Sequence, residues 1–278
     1  MVSAHDEPIV RFAAPPVVEV VAGLTLEASD PTWVPAMSSF WQQELRSDFP
    51  RLDYQPPYKA PPAIPVGPGG FPAGFQLELS PTMAFPRLWA SASDQQELVQ
   101  LQADYFACNW RKVGPNAEYD SWTKRRGRLV EIFGRLTRYA EKAAMRTPLI
   151  KDCEVTYINH IRTSRVWSAH SDWQRVFKLQ FGEGISRTSG RVNLELEYEI
   201  ADGGKRIGTL ICKILPAFAP DSSPIYVLEL TGRTQVADGS KLGQALHSLD
   251  LCRQAIDETF ISITTDVIQE AWGRIDET

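Results

Sequence analysis

The sequence predicts an α+β protein of two similar halves, each an antiparallel sheet of about four strands packed with a long helix. Three observations carry this. Residues 191–200 alternate apolar and polar side chains with a period of two. Two stretches, 120–145 and from Lys241 to Ile263, carry apolar residues at three- and four-residue spacing. The order strand, crossover, three strands, helix occurs once before Thr147-Pro148 and once after it.

Taken in order, residues 1–10 read as a flexible tail, 11–148 as the first half and 149–278 as the second. Val18, Val20, Ala22, Leu24 and Leu26 give the first strand, entered through Pro15-Pro16. Trp33, Met37, Phe40, Trp41 and Leu45 make one stripe of a short helix capped by Asp30-Pro31. Residues 50–74 hold eight prolines and four glycines, a composition that predicts an extended loop in part polyproline II. Strands are expected over Phe75–Leu79, Arg87–Ala92 and Glu97–Arg111, with Ser93-Asp94 as a turn. Asp120 or Ser121 caps a helix that Thr147-Pro148 ends.

In the second half, strands are expected over Glu154–Ile161, Arg191–Ile200, Ile207–Leu215 and Ile225–Gln235. Asp202-Gly203-Gly204 supplies a hairpin turn. A helix from Lys241 breaks at Thr264-Thr265 before a last short one.

Composition narrows the function classes. The chain has 278 residues and a net charge of -5, an acidity that argues against nucleic acid or an anionic membrane as partner. No window approaches 18 consecutive apolar residues, so no membrane span is expected. The N-terminal residues lack the pattern of a secretory signal, which points to the cytoplasm. Cys108, Cys153, Cys212 and Cys252 lie singly in apolar surroundings and read as buried small hydrophobes rather than disulfides or ligands.

Candidate sites follow from residues that fit their element poorly. Gln100, Gln102, Asp104, Asn109 and Arg111 alternate with large aromatics, a pattern that lines a groove for an extended peptide. Tyr105, Asn109, Trp110 and Arg111, with Asn159, are its candidate binding residues. Arg125, Arg126 and Arg128 put positive charge into the first turns of a helix, against its dipole, and mark a second candidate surface for an acidic partner. A solvated helix face is the simpler account of the same residues. His160, His170 and Asp172 match no common ligand spacing. No cofactor, metal or catalytic group is expected. Trp33, Trp41, Trp89, Trp110, Trp122, Trp167, Trp173 and Trp272 exceed what one core holds with ease, so some are expected at an interface with a partner or a second copy.

Four blocks also carry a family resemblance. They are Phe12-x-x-Pro-Pro-Val-Val-Glu-Val, Leu98 through Asp104-Tyr105-Phe106 to Asn109-Trp110-Arg111, Tyr157-Ile-Asn159, and Leu246-His-x-Leu-Asp250 through Phe260 and Thr264 to Trp272-Gly-Arg274. In this order they resemble a sporadically distributed bacterial family of unassigned function. The resemblance implies a mobile-element or defence-locus setting and brings no catalytic residues. The element order of each half also looks like that of bacterial secretion chaperones, which hold unfolded chains.

The expected function is therefore a non-enzymatic protein- or peptide-binding module, an antitoxin- or chaperone-like partner of a neighbouring gene product. The alternative is a small-molecule binder or enzyme with a pocket between sheet and helix, lined by Tyr105, Trp110, Arg111 and Asn159.

Overall fold

The alternating stretches of the sequence become strands of one large sheet. The computed structural model describes residues 10–27, 32–64, 86–114, 117–179 and 190–275. After a two-residue β1 (Arg11–Phe12), the strands are β2 (Val17–Leu26), β3 (Arg51–Gln55), β4 (Arg87–Ser91), β5 (Glu97–Gln102) and β6 (Tyr105–Arg111). Then come β7 (Ile150–Arg162), β8 (Leu194–Asp202), β9 (Lys205–Phe218), β10 (Pro224–Gln235) and β11 (Arg274–Ile275). Nine of them form an antiparallel sheet in the order β3-β4-β5-β6-β2-β7-β10-β9-β8, while β1 and β11 pair separately. The helices are α1 (Trp33–Phe40), α2 (Trp122–Lys142), α3 (Leu242–Ile263) and α4 (Asp266–Ala271).

Two compact units emerge. The first comprises Val21–Glu154 and Arg233–Leu249; the second comprises Met1–Val20, Val155–Gly232 and Asp250–Thr278. Each draws on both parts of the chain, because β2, β7, β10 and α3 contribute residues to both.

In the first unit, α2 starts where Ser121 accepts a hydrogen bond from the Lys124 N–H. Its stripe of Leu129, Ile132, Phe133 and Leu136 is buried, and Phe133 meets Phe106 of β6 edge-on at 5.4 Å. Each such side chain contributes roughly 1.5–3 kcal/mol on full burial. The short helix forms as expected, with a π-helical turn at Trp41–Leu45 that keeps Leu45 in the core.

Three expectations are corrected here. Glu97–Arg111 is a hairpin, β5 and β6, because Ala103-Asp104 forms a turn steadied by the Gln102 amide donating to Asp104 Oδ1. The stretch read as loop 50–74 opens with the strand β3 between Pro50 and Pro56-Pro57. It is an edge strand, where proline on either side removes no ladder bond. The tryptophans do not crowd the surface: six are buried, and Trp41 and Trp89 are half-buried. Residues 1–9, the Asp30-Pro31 cap, the remainder of the loop from 65 and the expected strand at 75–79 lie outside the described residues.

The second unit holds β8 and β9 as a hairpin through Gly203 (φ 56°) and Gly204 (φ 79°). β8 is less buried than its alternation predicts, since it ends the sheet and leaves Tyr198 exposed. Trp167, Phe177 and Tyr226 cluster at 5.2–5.4 Å, and the Tyr226 hydroxyl donates to the His170 carbonyl at 2.7 Å. Phe12, Phe260 and Trp272 form a second aromatic group. The four cysteines are buried, and burial pushes the Cys212 thiol up to about 12. No helix among the described residues is long and apolar enough to cross a membrane.

Candidate functional site

The alternation of β6 sorts its side chains between two faces of the first unit's sheet. Phe106, Cys108 and Trp110 share the face that carries α2, while Tyr105, Ala107, Asn109 and Arg111 share the other. The register then adds Gln102 opposite Tyr105, Gln100 opposite Ala107, and Trp89 opposite Gln100. The result is a sheet face built of amides, guanidiniums and aromatic rings.

Its lowest layer is amide. Gln100 Nε2 donates to Asn109 Oδ1 at 2.8 Å, and Arg87 Nη1 donates to Gln100 Oε1 at 2.7 Å. Gln100, Gln102 and Asn109 are all buried, so these bonds offset a desolvation that would otherwise be unfavourable.

Above the amides runs a stack of alternating cations and rings. The Arg111 guanidinium carbon lies 5.9 Å from the Trp89 ring, and that of Arg87 lies 5.4 Å from Trp89 and 5.4 Å from Tyr58. Tyr58 meets Tyr105 edge-on at 4.7 Å.

Tyr58 belongs to the proline-rich segment that follows β3, and the face grips it twice. Its N–H donates to Gln102 Oε1 at 2.8 Å while Gln102 Nε2 donates to its carbonyl at 2.8 Å. Its hydroxyl donates to Glu154 Oε2 at 2.9 Å and accepts from Arg233 Nη2 at 3.2 Å. Glu154 also takes Arg233 Nε at 2.7 Å and the Tyr105 hydroxyl at 3.3 Å.

Electrostatics fixes the roles within this group. Burial, and then the charge of Glu154, push the Tyr58 phenol up to about 12 and the Tyr105 phenol well above its ordinary value. Both are neutral donors at physiological pH, with Glu154 as acceptor. Burial works against the Arg233 charge, but Glu154 and Tyr58 more than offset it and hold the guanidinium above its usual range. Gly23 of β2 leaves the room this needs: a Cβ there would stand 2.7 Å from the Tyr105 hydroxyl oxygen.

Beside the Tyr58 seat lies a cleft of about 520 Å³, walled by Leu26, Glu27, Lys59, Ala60, Asp104 and Lys151 together with both tyrosines.

No family model, curated protein or solved structure matches the chain.

Of the candidate residues, Tyr105, Asn109 and Arg111 stand on this face. Trp110 points to the opposite one, where it meets Tyr119 at 5.3 Å. Asn159 belongs to the second unit and donates to the Leu228 carbonyl at 3.1 Å. Arg125 pairs with Glu97 (2.9 Å) and Asp120 (2.7 Å); Arg128 pairs with Glu97 (3.1 Å) and Glu131 (2.7 Å) and lies over the Phe49 ring. Their charge is answered within the unit, and the cavity they line holds only about 10 Å³. Arg126 lies half-buried on the same helix.

His170 Nε2 donates to the Ile225 carbonyl, and Asp172 accepts from the Ser168 and Ala169 N–H groups. No group of three His, Cys, Asp or Glu that could hold a metal occurs among the described residues.

Sequence reasoning missed Tyr58, Arg87, Trp89, Glu154 and Arg233. Glu154 and Arg233 gave no distinguishing signal, since Lys151 and Asp152 share the strand of the one and Glu229 that of the other. Tyr58 had none either, because nothing local to a proline-rich stretch says which strand it crosses.

Proposed function

We propose that the polar face of the first unit is a seat for an extended polypeptide segment, and that the segment around Tyr58 occupies it in cis. The observation that carries this is the pair of hydrogen bonds from one Gln102 amide to both main-chain groups of Tyr58. A side chain that reads an N–H and a C=O together recognises backbone rather than any one residue. The Tyr105–Glu154–Arg233 pocket then adds preference for a tyrosine. Pro56, Pro57, Pro61 and Pro62 hold the resident segment extended, so little entropy is lost on seating it.

On this reading the protein is a non-enzymatic binding module whose partner supplies a segment of the same kind. An antitoxin- or chaperone-like role beside a neighbouring gene product, in a bacterial defence or mobile locus, fits it. Four buried cysteines, set singly along the chain, suit a reducing cytoplasm. Internal duplication is supported by the strand order: omitting β3, the sheet reads β4-β5-β6-β2 and then β7-β10-β9-β8, with equivalent strands mirrored about the middle.

A second reading rests on the 520 Å³ cleft, whose walls mix Glu27 and Asp104 with Lys59 and Lys151 over an aromatic floor. That lining suits a small zwitterionic molecule.

Photo-crosslinking in the native cells tests the first reading. A photoreactive side chain at Asp53, which is exposed and opposite Trp89 in the register, is expected to capture an extended stretch of a second polypeptide. Capture should weaken with Gln102→Leu. Cross-links confined to this chain's own segment 55–63 would contradict the proposal.

A further inference from the structure

The stack at the far end from Tyr58 is short of acceptors. Arg87 Nε, Trp89 Nε1 and Arg111 Nε are buried donors with no partner among the described residues. No carboxylate among those residues pairs with either guanidinium: Arg87 donates to the Gln100 amide, and Arg111 Nη2 to the Gln95 carbonyl at 3.3 Å.

Such a cluster is unusual on physical grounds. Buried polar atoms are nearly always hydrogen-bonded, even where, as at Arg87 and Arg111, the rest of the side chain is only half-buried. Here three donors on one sheet face share the lack, and two of them belong to cations that flank the same indole ring. On α2 the Arg125 Nε lacks a partner too, but that guanidinium holds two carboxylates through its Nη groups, and Arg128 reaches three.

We infer that Arg87, Trp89 and Arg111 form a binding site for a carboxylate side chain, an Asp or Glu of the partner segment that the Tyr58 seat accepts. The inference rests on the peptide reading above, which makes a carboxylate the anion that a polypeptide brings. Charge complementarity selects it: a carboxylate presents two oxygens with several lone pairs, enough to meet guanidinium and indole donors together. Arg87 joins the two parts of the site, because its guanidinium stacks on both Tyr58 and Trp89. The partner segment is thus an extended one in which a tyrosine is accompanied by an acidic residue.

The test uses the full chain in which Tyr58→Ala is combined with a Gly-Ser linker in place of residues 55–57 and 59–63, which frees both the phenol pocket and the Gln102 amide and keeps the ladder. Fluorescein-labelled peptides of this chain's own sequence 54–63, unmodified or with one Glu scanned through the positions flanking the tyrosine that corresponds to Tyr58, are titrated by anisotropy. At one or more positions Glu should tighten binding about tenfold, the scale of a charge-assisted hydrogen bond. The gain should vanish with Arg111→Gln and shrink with added salt. Equal affinity for all Glu peptides and the unmodified one, or a gain that survives Arg111→Gln, overturns the carboxylate site while leaving the seat intact. No binding of any peptide overturns the peptide reading itself. Should that variant fail to fold, indole and guanidine N–H shifts of the wild-type chain, titrated with the same peptides, decide the matter by the same criteria.

Discussion

Gln102 holds Tyr58 by its main chain, accepting from the N–H and donating to the C=O, each at 2.8 Å, across 44 residues of sequence. The bond pair ties a proline-rich segment to the sheet without using the Tyr58 side chain. It therefore separates backbone recognition from recognition of the phenol.

Gln102→Leu removes both bonds and leaves the Tyr58 N–H and C=O without their partner. A loss of about 1–3 kcal/mol is expected by urea unfolding with the m-value unchanged. Limited proteolysis between residues 55 and 63 should speed up in step. An unaltered cleavage rate would show that the segment is held by something else.

Glu154 and Arg233 are both nearly inaccessible and bonded at 2.7 Å. Glu154→Leu strands the Arg233 charge and two tyrosine hydroxyls, and roughly 3–5 kcal/mol of stability should be lost. Adding Arg233→Met should restore a large share, because the pair as a whole carries a desolvation cost. A strictly additive double mutant would contradict the coupling.

Alkaline titration follows from the two phenols. Their folded values are raised above the unfolded value near 10, so their contribution to stability is full below that pH. It is lost as pH rises through about 12, where Tyr58 ionises. Absorbance at 295 nm should show most tyrosines ionising first, with Tyr58 and Tyr105 last. Tyr58→Phe should remove one late titrant and lessen the alkaline fall in melting temperature. Ionisation of Tyr58 along with the bulk would sink the buried-seat description.

Gly23→Ala should destabilise by about 1–3 kcal/mol, because the new methyl meets the Tyr105 hydroxyl oxygen at 2.7 Å and ring carbons at 3.2 and 3.3 Å. Tyr105→Phe removes the closest of these contacts, and in combination it should recover part of the loss. Recovery is read from thermal melts of the two single variants and the double.

Much of this fold was legible because its signals are local. The stripe of α2 and the Gly203-Gly204 turn each depend on residues within a few positions of one another. Glu97–Arg111 misled as one strand because the turn at Ala103-Asp104 contains neither Gly nor Pro. The tryptophans misled because composition counts them without saying that Trp33, Trp110 and Trp122 can be buried in the same unit. Tyr105, Asn109 and Arg111 were found through polar residues alternating with aromatics in one strand. Their partners were not, since Tyr58, Glu154 and Arg233 reach the face from segments 47 to 128 residues from Tyr105. Only the register of β4, β5 and β6 brings Arg87 and Trp89 beside them.

The most direct test of the peptide seat is the affinity of the unmodified 54–63 peptide for the Tyr58→Ala chain with its Gly-Ser linker, in which the resident segment no longer holds Gln102, measured with and without Gln102→Leu. Saturable binding that exceeds binding to the wild-type chain, where the seat is filled in cis, and that falls about tenfold or more with Gln102→Leu is the expected result. Affinity indifferent to Gln102, or no binding to that linker chain when folded, would contradict it.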